Sequence, residues 1–466
     1  MKNFFSILIL SLILINIFVN EETVYAATEE PTIDAQAAVL IDANTGQVLY
    51  DKNMNEKMYP ASTTKIITSI LALENLDLSK TMVIDEDTPY TEGARIYLLE
   101  GEEILTEQVL KAMLIESAND AAVALAKEVA GNIPDFAKMM NKRAKELGAK
   151  NSNFVNPNGL YEDEHVSTAY DLAMIAKYAM QNKVFREIVL TYRYIIPATN
   201  KQDTRYLYNP NRLIYDEITK VNVNGTIRPA KYDGATGIKT GYTPEAGGCL
   251  VSSAKRGDTE LISVVLHSTN RFGDSIALLD YGFGNYKSTK AMEKGTALGE
   301  VKVKKGADSK VDVVLAQDAY VTIPIEASEK IVNKKIILDE KVTAPISKGQ
   351  KVGIVEIYEG DKLVGKADAV ANSKVPEGRI LSNIGISDAL AKKIFFILQA
   401  IFLIFIILLI AYVSIKRRRL KIKKQKRAEL IEKTRLKKEN AWKEWSMEYD
   451  KRENPFNKYN KLDNFK

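Results

Sequence analysis

The chain has 466 residues, 46% of them apolar and 27% charged, which is enough for two globular domains plus membrane segments. One cysteine excludes a disulfide framework, and two histidines without matching cysteines or carboxylates disfavour a zinc centre. The formal net charge of +5 is unevenly held: residues 416–466 carry 19 basic and 8 acidic side chains, a net +11, against −5 for residues 27–415.

Residues 4–19 are almost wholly apolar after Lys2, and Val24-Tyr25-Ala26 offers small residues where a signal peptidase reads. This predicts a signal peptide over 1–26, and hence export. Residues 39–50 predict a hairpin turning at Asn44-Thr45-Gly46. A helix is expected over 63–76, with Ile66, Ile67, Ile70, Leu71 and Leu73 on its buried face. Ser62 stands at its start, and the i, i+3 spacing puts Lys65 on the same face. A serine with an amine one turn behind it has a nucleophile and a base without histidine. The backbone N–H groups of a helix N-terminus could also hold the oxyanion. The Ser-x-x-Lys pattern recurs at Ser252 and Lys255, but inside an apolar strand where residues three apart face opposite ways.

Helices are predicted over 106–114, 120–130, 134–147 and 168–181, with Gly131 and Gly148 as stops. Ser117-Ala118-Asn119 lies between the first two and can project a hydroxyl and an amide into a cleft. The polar and aromatic stretch 194–233, with Tyr206, Tyr208, Tyr215 and Tyr232, reads as a surface hairpin or insertion, or as a wall of that cleft. Strands follow over 237–242, 249–254 and 261–266, with Cys249 as a small buried strand residue. The first carries Lys239-Thr240-Gly241: a cation and a hydroxyl for a carboxylate, and a glycine that lets an extended substrate lie against the strand. His165 and His267 read as structural.

Short strands over 311–315, 320–325, 336–338, 352–358 and 363–371 predict a small all-β module within 294–376. Residues 377–393 read as a linker. The apolar run 394–415 would span ~33 Å as a helix, enough for a bilayer core. The basic cluster from Lys416 then predicts a cytoplasmic tail facing anionic lipid, and no motif suggests nucleic acid.

Ser-x-x-Lys, Ser-x-Asn and Lys-Thr-Gly, in that order and each in a fitting local context, occur together in penicillin-recognising serine enzymes. With Asn156-Pro157-Asn158-Gly159-Leu160, His165 to Ala169 and Ala246-Gly247-Gly248, they make the chain resemble the low-molecular-mass penicillin-binding proteins that are serine-type D-alanyl-D-alanine carboxypeptidases. The resemblance covers residues 33 to 375. The middle motif is Ser-Ala-Asn where the family pattern has Ser-Asp-Asn.

The resemblance implies a mixed α/β fold: a β-lactamase/transpeptidase-like antiparallel sheet with flanking helices over 27–293, then the all-β domain and a transmembrane helix. It implies Ser62 as acylated nucleophile, Lys65 as base, and Ser117 with Asn119 as proton relay and substrate contact. Lys239, Thr240 and Gly241 would bind the terminal carboxylate and substrate strand. The N–H groups of Ser62 and Tyr242 would form the oxyanion hole, and Arg271 would be a second cation or else a solvated helix-start residue. No cofactor or metal is implied. The expected partners are peptidoglycan stem peptides, β-lactams as acylating mimics, and the membrane of a bacterial cell. A D,D-endopeptidase or β-lactamase using the same site, or a wall-peptide-binding non-enzyme, are the alternatives.

Overall fold

The computed structural model describes residues 29–326, 332–379, 382 and 386–452; the expected signal peptide 1–26 lies outside them. Residues 37–268 are built on a five-stranded antiparallel sheet. Its strands are β1 (Ala37–Asp42), β2 (Val48–Lys52), β3 (Ala235–Thr243), β4 (Gly247–Arg256) and β5 (Thr259–Ser268), in the spatial order β2-β1-β5-β4-β3. Residue alternation sends side chains to two separate cores. Val39, Ile41, Val251, Ile262 and Val264 enter one, while Leu40, Leu250, Leu261 and Val265 enter the other. Strands covered on both faces read as unbroken apolar runs, as β1 does with every residue buried.

The first core is filled by helices α1 (Lys65–Asn75), α2 (Thr106–Lys111), α3 (Asn119–Ala130), α4 (Ile133–Glu146), α5 (Ala169–Ala179) and α6 (Lys183–Leu190). Helix α7 (Arg271–Asn285) covers the other face through Ile276, Ala277 and Leu279. Neither α6 nor the full extent of α7 is expected from the sequence, because three glycines in α7 argue against a helix. Gly282 explains one of them. A Cβ there would lie 2.5 Å from Leu261 Cδ1 and 2.7 Å from Leu40 Cδ2, so the missing side chain is what lets the helix approach the sheet.

The stretch 194–233 forms two hairpins, Arg193–Ile196 with Arg205–Tyr208 and Lys220–Val223 with Thr226–Pro229. Beyond α7, Tyr286–Met292 pairs with Ala319–Pro324, and Lys310–Leu315, Val332–Leu338, Lys351–Glu359 and Lys362–Ala371 form an antiparallel sheet. A second compact unit comprises residues 302–310, 341–346 and 375–466. In it Lys302–Lys304 run parallel to Lys341–Thr343. Its helix α8 (Asp388–Arg452) begins inside the expected linker and contains the apolar run 394–415. By length and composition α8 can cross a membrane, with a mean hydropathy of 3.2 over its most apolar window.

Candidate active site

Ser62 lies in a 3₁₀ turn, Ala61–Thr64, that runs directly into α1 at Lys65. The sequence places Ser62 at the start of an α-helix; the first turn is in fact the tighter form, and Ala61 before it has a left-handed φ of 47°. A left-handed alanine costs on the order of 1–2 kcal/mol and persists only where its surroundings impose it. Those surroundings are visible. A Cβ at Gly159, whose φ is 84°, would overlap the Ala61 carbonyl oxygen, and one at Gly241 would sit 3.0–3.1 Å from Pro60 O, Ala61 Cβ and Ser62 N. Gly241 therefore leaves room for the turn that carries Ser62, and that close approach sets β3 beside it.

Lys65 is wholly buried, and its Nζ lies 2.9 Å from Ser62 Oγ, 2.7 Å from Asn119 Oδ1 and 2.7 Å from the Asn158 carbonyl. The two carbonyl oxygens can only accept. A neutral amine therefore spends both N–H bonds on them and points its lone pair at the Ser62 hydroxyl. Burial first, and then the charge of Lys239, hold the Lys65 pKa well below the ordinary lysine range, which favours that neutral form.

Asn119 opens α3 and is 5% exposed. Its Nδ2 donates to Glu92 O at 2.7 Å and its backbone N–H to Ala94 O at 2.6 Å, while the next residue, Asp120, accepts from the N–H groups of Ile96 and Leu98. The loop over residues 92–98 thus clamps the amide that orients Lys65. Ser117 ends a π-turn, Ala112–Glu116, with a left-handed φ of 66°. That turn lets the chain leave one helix and start the next two residues later.

Lys239 and Thr240 lie on β3, 1% and 6% exposed. Lys239 Nζ has one long bond, 3.2 Å to Thr240 O. Burial, and then the Arg271 charge, push its pKa down to about 7, with Glu116 acting the other way. Arg271 opens α7 and donates from Nη1 to the Gly241 carbonyl at 2.7 Å, so it is tied to the strand rather than solvated at a helix start. Tyr242 is 67% exposed beside it. Lys239 and Arg271 therefore set two cationic groups on and beside the strand that meets the Ser62 turn, an electrostatic setting for a carboxylate. The other serine motifs stay apart from this cluster: Ser252 is buried against Ser263 Oγ at 2.7 Å, and Ser268 Oγ donates to Asp274.

Other groups support this cluster. His165 Nδ1 accepts from Val155 N–H at 3.1 Å, so its proton sits on Nε2 and is donated to Thr64 Oγ1 at 2.8 Å. Burial, and then the nearby Lys65, lower its pKa to about 4 and keep the ring neutral. Thr68 Oγ1 donates to Pro157 O at 2.7 Å, one turn beyond the Lys65 bond to Asn158 O. The available signal was the Asn-Pro-Asn-Gly turn, whose asparagines cap their own backbone through Gly159 N–H and Leu160 N–H.

Residues 24–270 match the family model described as D-alanyl-D-alanine carboxypeptidase, and residues 286–377 match that of the penicillin-binding protein 5 C-terminal domain. The chain is 34% identical to the D-alanyl-D-alanine carboxypeptidase DacF of Bacillus subtilis, over 76% of this chain and 89% of the relative. It is 32% identical to DacC of Escherichia coli, over 78% and 88% respectively. The solved penicillin-binding protein 5 of Haemophilus influenzae superposes with a TM-score of 0.57 at 29% identity, covering 75% of this chain and all of that one. The fold, the clustered motifs and these relatives agree: the chain belongs to the D-alanyl-D-alanine carboxypeptidase family and is a serine-type carboxypeptidase of the penicillin-binding kind.

Proposed function

We propose that Ser62 is the nucleophile and Lys65 its base in removal of the terminal D-alanine from peptidoglycan stem peptides. The observation that carries this is the hydrogen-bond set of Lys65, which leaves one direction for its lone pair, toward Ser62. Ser62 Oγ attacks the penultimate carbonyl while its proton passes to Nζ. The N–H groups of Ser62 and Tyr242 meet the oxyanion. The C–N bond then breaks, and the proton reaches the leaving amine by way of the Ser117 hydroxyl. Water hydrolyses the resulting ester. Asn119 keeps one N–H for a substrate carbonyl, and Lys239 and Thr240 hold the terminal carboxylate, with Arg271 adding to the field. A β-lactam offers a strained amide and a carboxylate to the same groups and acylates Ser62.

The test is D-alanine release from a peptide ending in D-Ala-D-Ala, as free acid and as amide. A charge-assisted hydrogen bond to the carboxylate should make the acid about ten- to a hundredfold faster. Equal rates would contradict the carboxylate role of Lys239 and Thr240.

We further propose that residues 27–293 form the catalytic domain, 294–376 the β-domain, and 394–415 a single span with the catalytic domain outside and the basic tail inside. The basic cluster directly after the apolar run supports this orientation. Protease added to intact protoplasts should remove the Ser62 domain and spare an epitope fused after Lys466. Loss of that epitope without permeabilisation would contradict the orientation.

A further inference from the structure

The hairpin Arg193–Ile196 with Arg205–Tyr208 has two unlike faces. Direct pairing sets Ile195 opposite Tyr206 and Arg193 opposite Tyr208, so these four share one face, and Tyr194, Ile196, Arg205 and Leu207 share the other. The inner face is anchored. Ile196 and Leu207 enter the core, Lys111 Nζ lies 4.4 Å above the Tyr194 ring, and Arg205 is ion-paired with the fully buried Glu102. The outer face is open: Ile195, Tyr206 and Tyr208 are 50%, 63% and 50% exposed. The Tyr208 ring is held in place, because it meets the edge of Tyr192 at 6.1 Å and Tyr192 stacks on Tyr215 at 4.0 Å.

This face begins at the catalytic cleft. Tyr208 N–H donates to Glu116 Oε2 at 2.6 Å, and Glu116 directly precedes Ser117. We propose that the outer face of this hairpin is a subsite for the amino-sugar glycan that carries the stem peptide, with Tyr206 and Tyr208 stacking on pyranose rings. The proposal rests on the stem-peptide reading of function above. Three features favour that occupant. Electron-rich ring faces suit the C–H faces of a sugar. Two four-residue strands make a strip only ~13 Å long, which fits a linear polymer better than a protein surface. Position agrees as well: the strip starts at Tyr208, whose N–H is bonded to the residue that precedes Ser117.

The test compares the full-length protein on a free D-Ala-D-Ala stem peptide and on the same peptide attached to its β-linked disaccharide. Wild type should show a kcat/KM about tenfold higher for the glycan-linked substrate, as two aromatic contacts would give. The double variant Tyr206→Ala/Tyr208→Ala should lose that advantage through KM alone and keep wild-type kcat/KM on the free peptide. Equal kcat/KM for both substrates in wild type, or an advantage retained by the double variant, would overturn the proposal. So would an equal loss on the free peptide, which would mean the rings merely support the fold. Absence of D-alanine release from either substrate by wild type would instead sink the underlying reading, and the subsite with it.

Discussion

Asn119 Oδ1 lies 2.7 Å from Lys65 Nζ, and because an amide oxygen only accepts, it fixes which way the lone pair of the buried amine points. The loop that holds Asn119 through Glu92 O and Ala94 O therefore helps align the Lys65 amine.

Replacing that amide by a carboxylate is a sharp test. In Asn119→Asp an anion would stand against the amine and favour its charged form, so the rising limb of kcat/KM should move up by roughly 1–3 pH units. The pH profile of D-alanine release checks this. An unmoved rising limb would show that Lys65 is not the titrating base.

Lys239 should set the falling limb. Its pKa in the free enzyme is about 7, and only the charged form attracts a carboxylate, so kcat/KM for a free-acid peptide should decline as pH rises through that value. An amidated peptide should lack the decline. For stability the sign is that of any group whose pKa folding depresses. The unfolded chain binds a proton that buried Lys239 gives up, so its contribution to stability rises with pH between about 7 and the ordinary lysine range. Lys239→Met should consequently melt no lower than wild type at neutral pH while losing carboxylate recognition, a separation that thermal melts and paired kinetics can read.

How much of this was legible in the sequence depends on what each residue needs. Ser62, Lys65, Asn119 and Lys239 could be picked out because their chemistry needs particular side chains in a set order. The five strands followed from apolar runs and turn residues, with edges off by one or two positions. Gly241 was singled out as room for a substrate strand; its missing side chain also makes room for Pro60 to Ser62, a contact across the fold that local pattern cannot encode. The same holds for α7, where Gly282 reads as a helix breaker until Leu40 and Leu261 are seen beneath it. The 3₁₀ start of the first helix was equally hidden, since the Gly159 loop that packs on Ala61 comes nearly a hundred residues later.

His165, which reads as structural in the sequence, offers a further prediction. Its ring is neutral and bonded to Thr64, with a pKa near 4 against an ordinary 6.5, so the stability it contributes is present above the ordinary value and lost as pH falls toward about 4. His165→Gln should cost about 1–3 kcal/mol near neutral pH. The gap in melting temperature between wild type and variant should narrow on acidification. A constant gap from pH 7 to pH 4 would contradict the neutral, buried assignment.

The central claim is that Lys65 activates Ser62, and labelled penicillin tests it most directly. Peptide mapping of the acylated protein should place the label on Ser62 alone. Lys65→Ala, verified as folded by its melting transition, should fall in acylation rate by about 10²–10⁴, the range for loss of a general base. Label on Ser252, or acylation at wild-type rate in folded Lys65→Ala, would contradict the account.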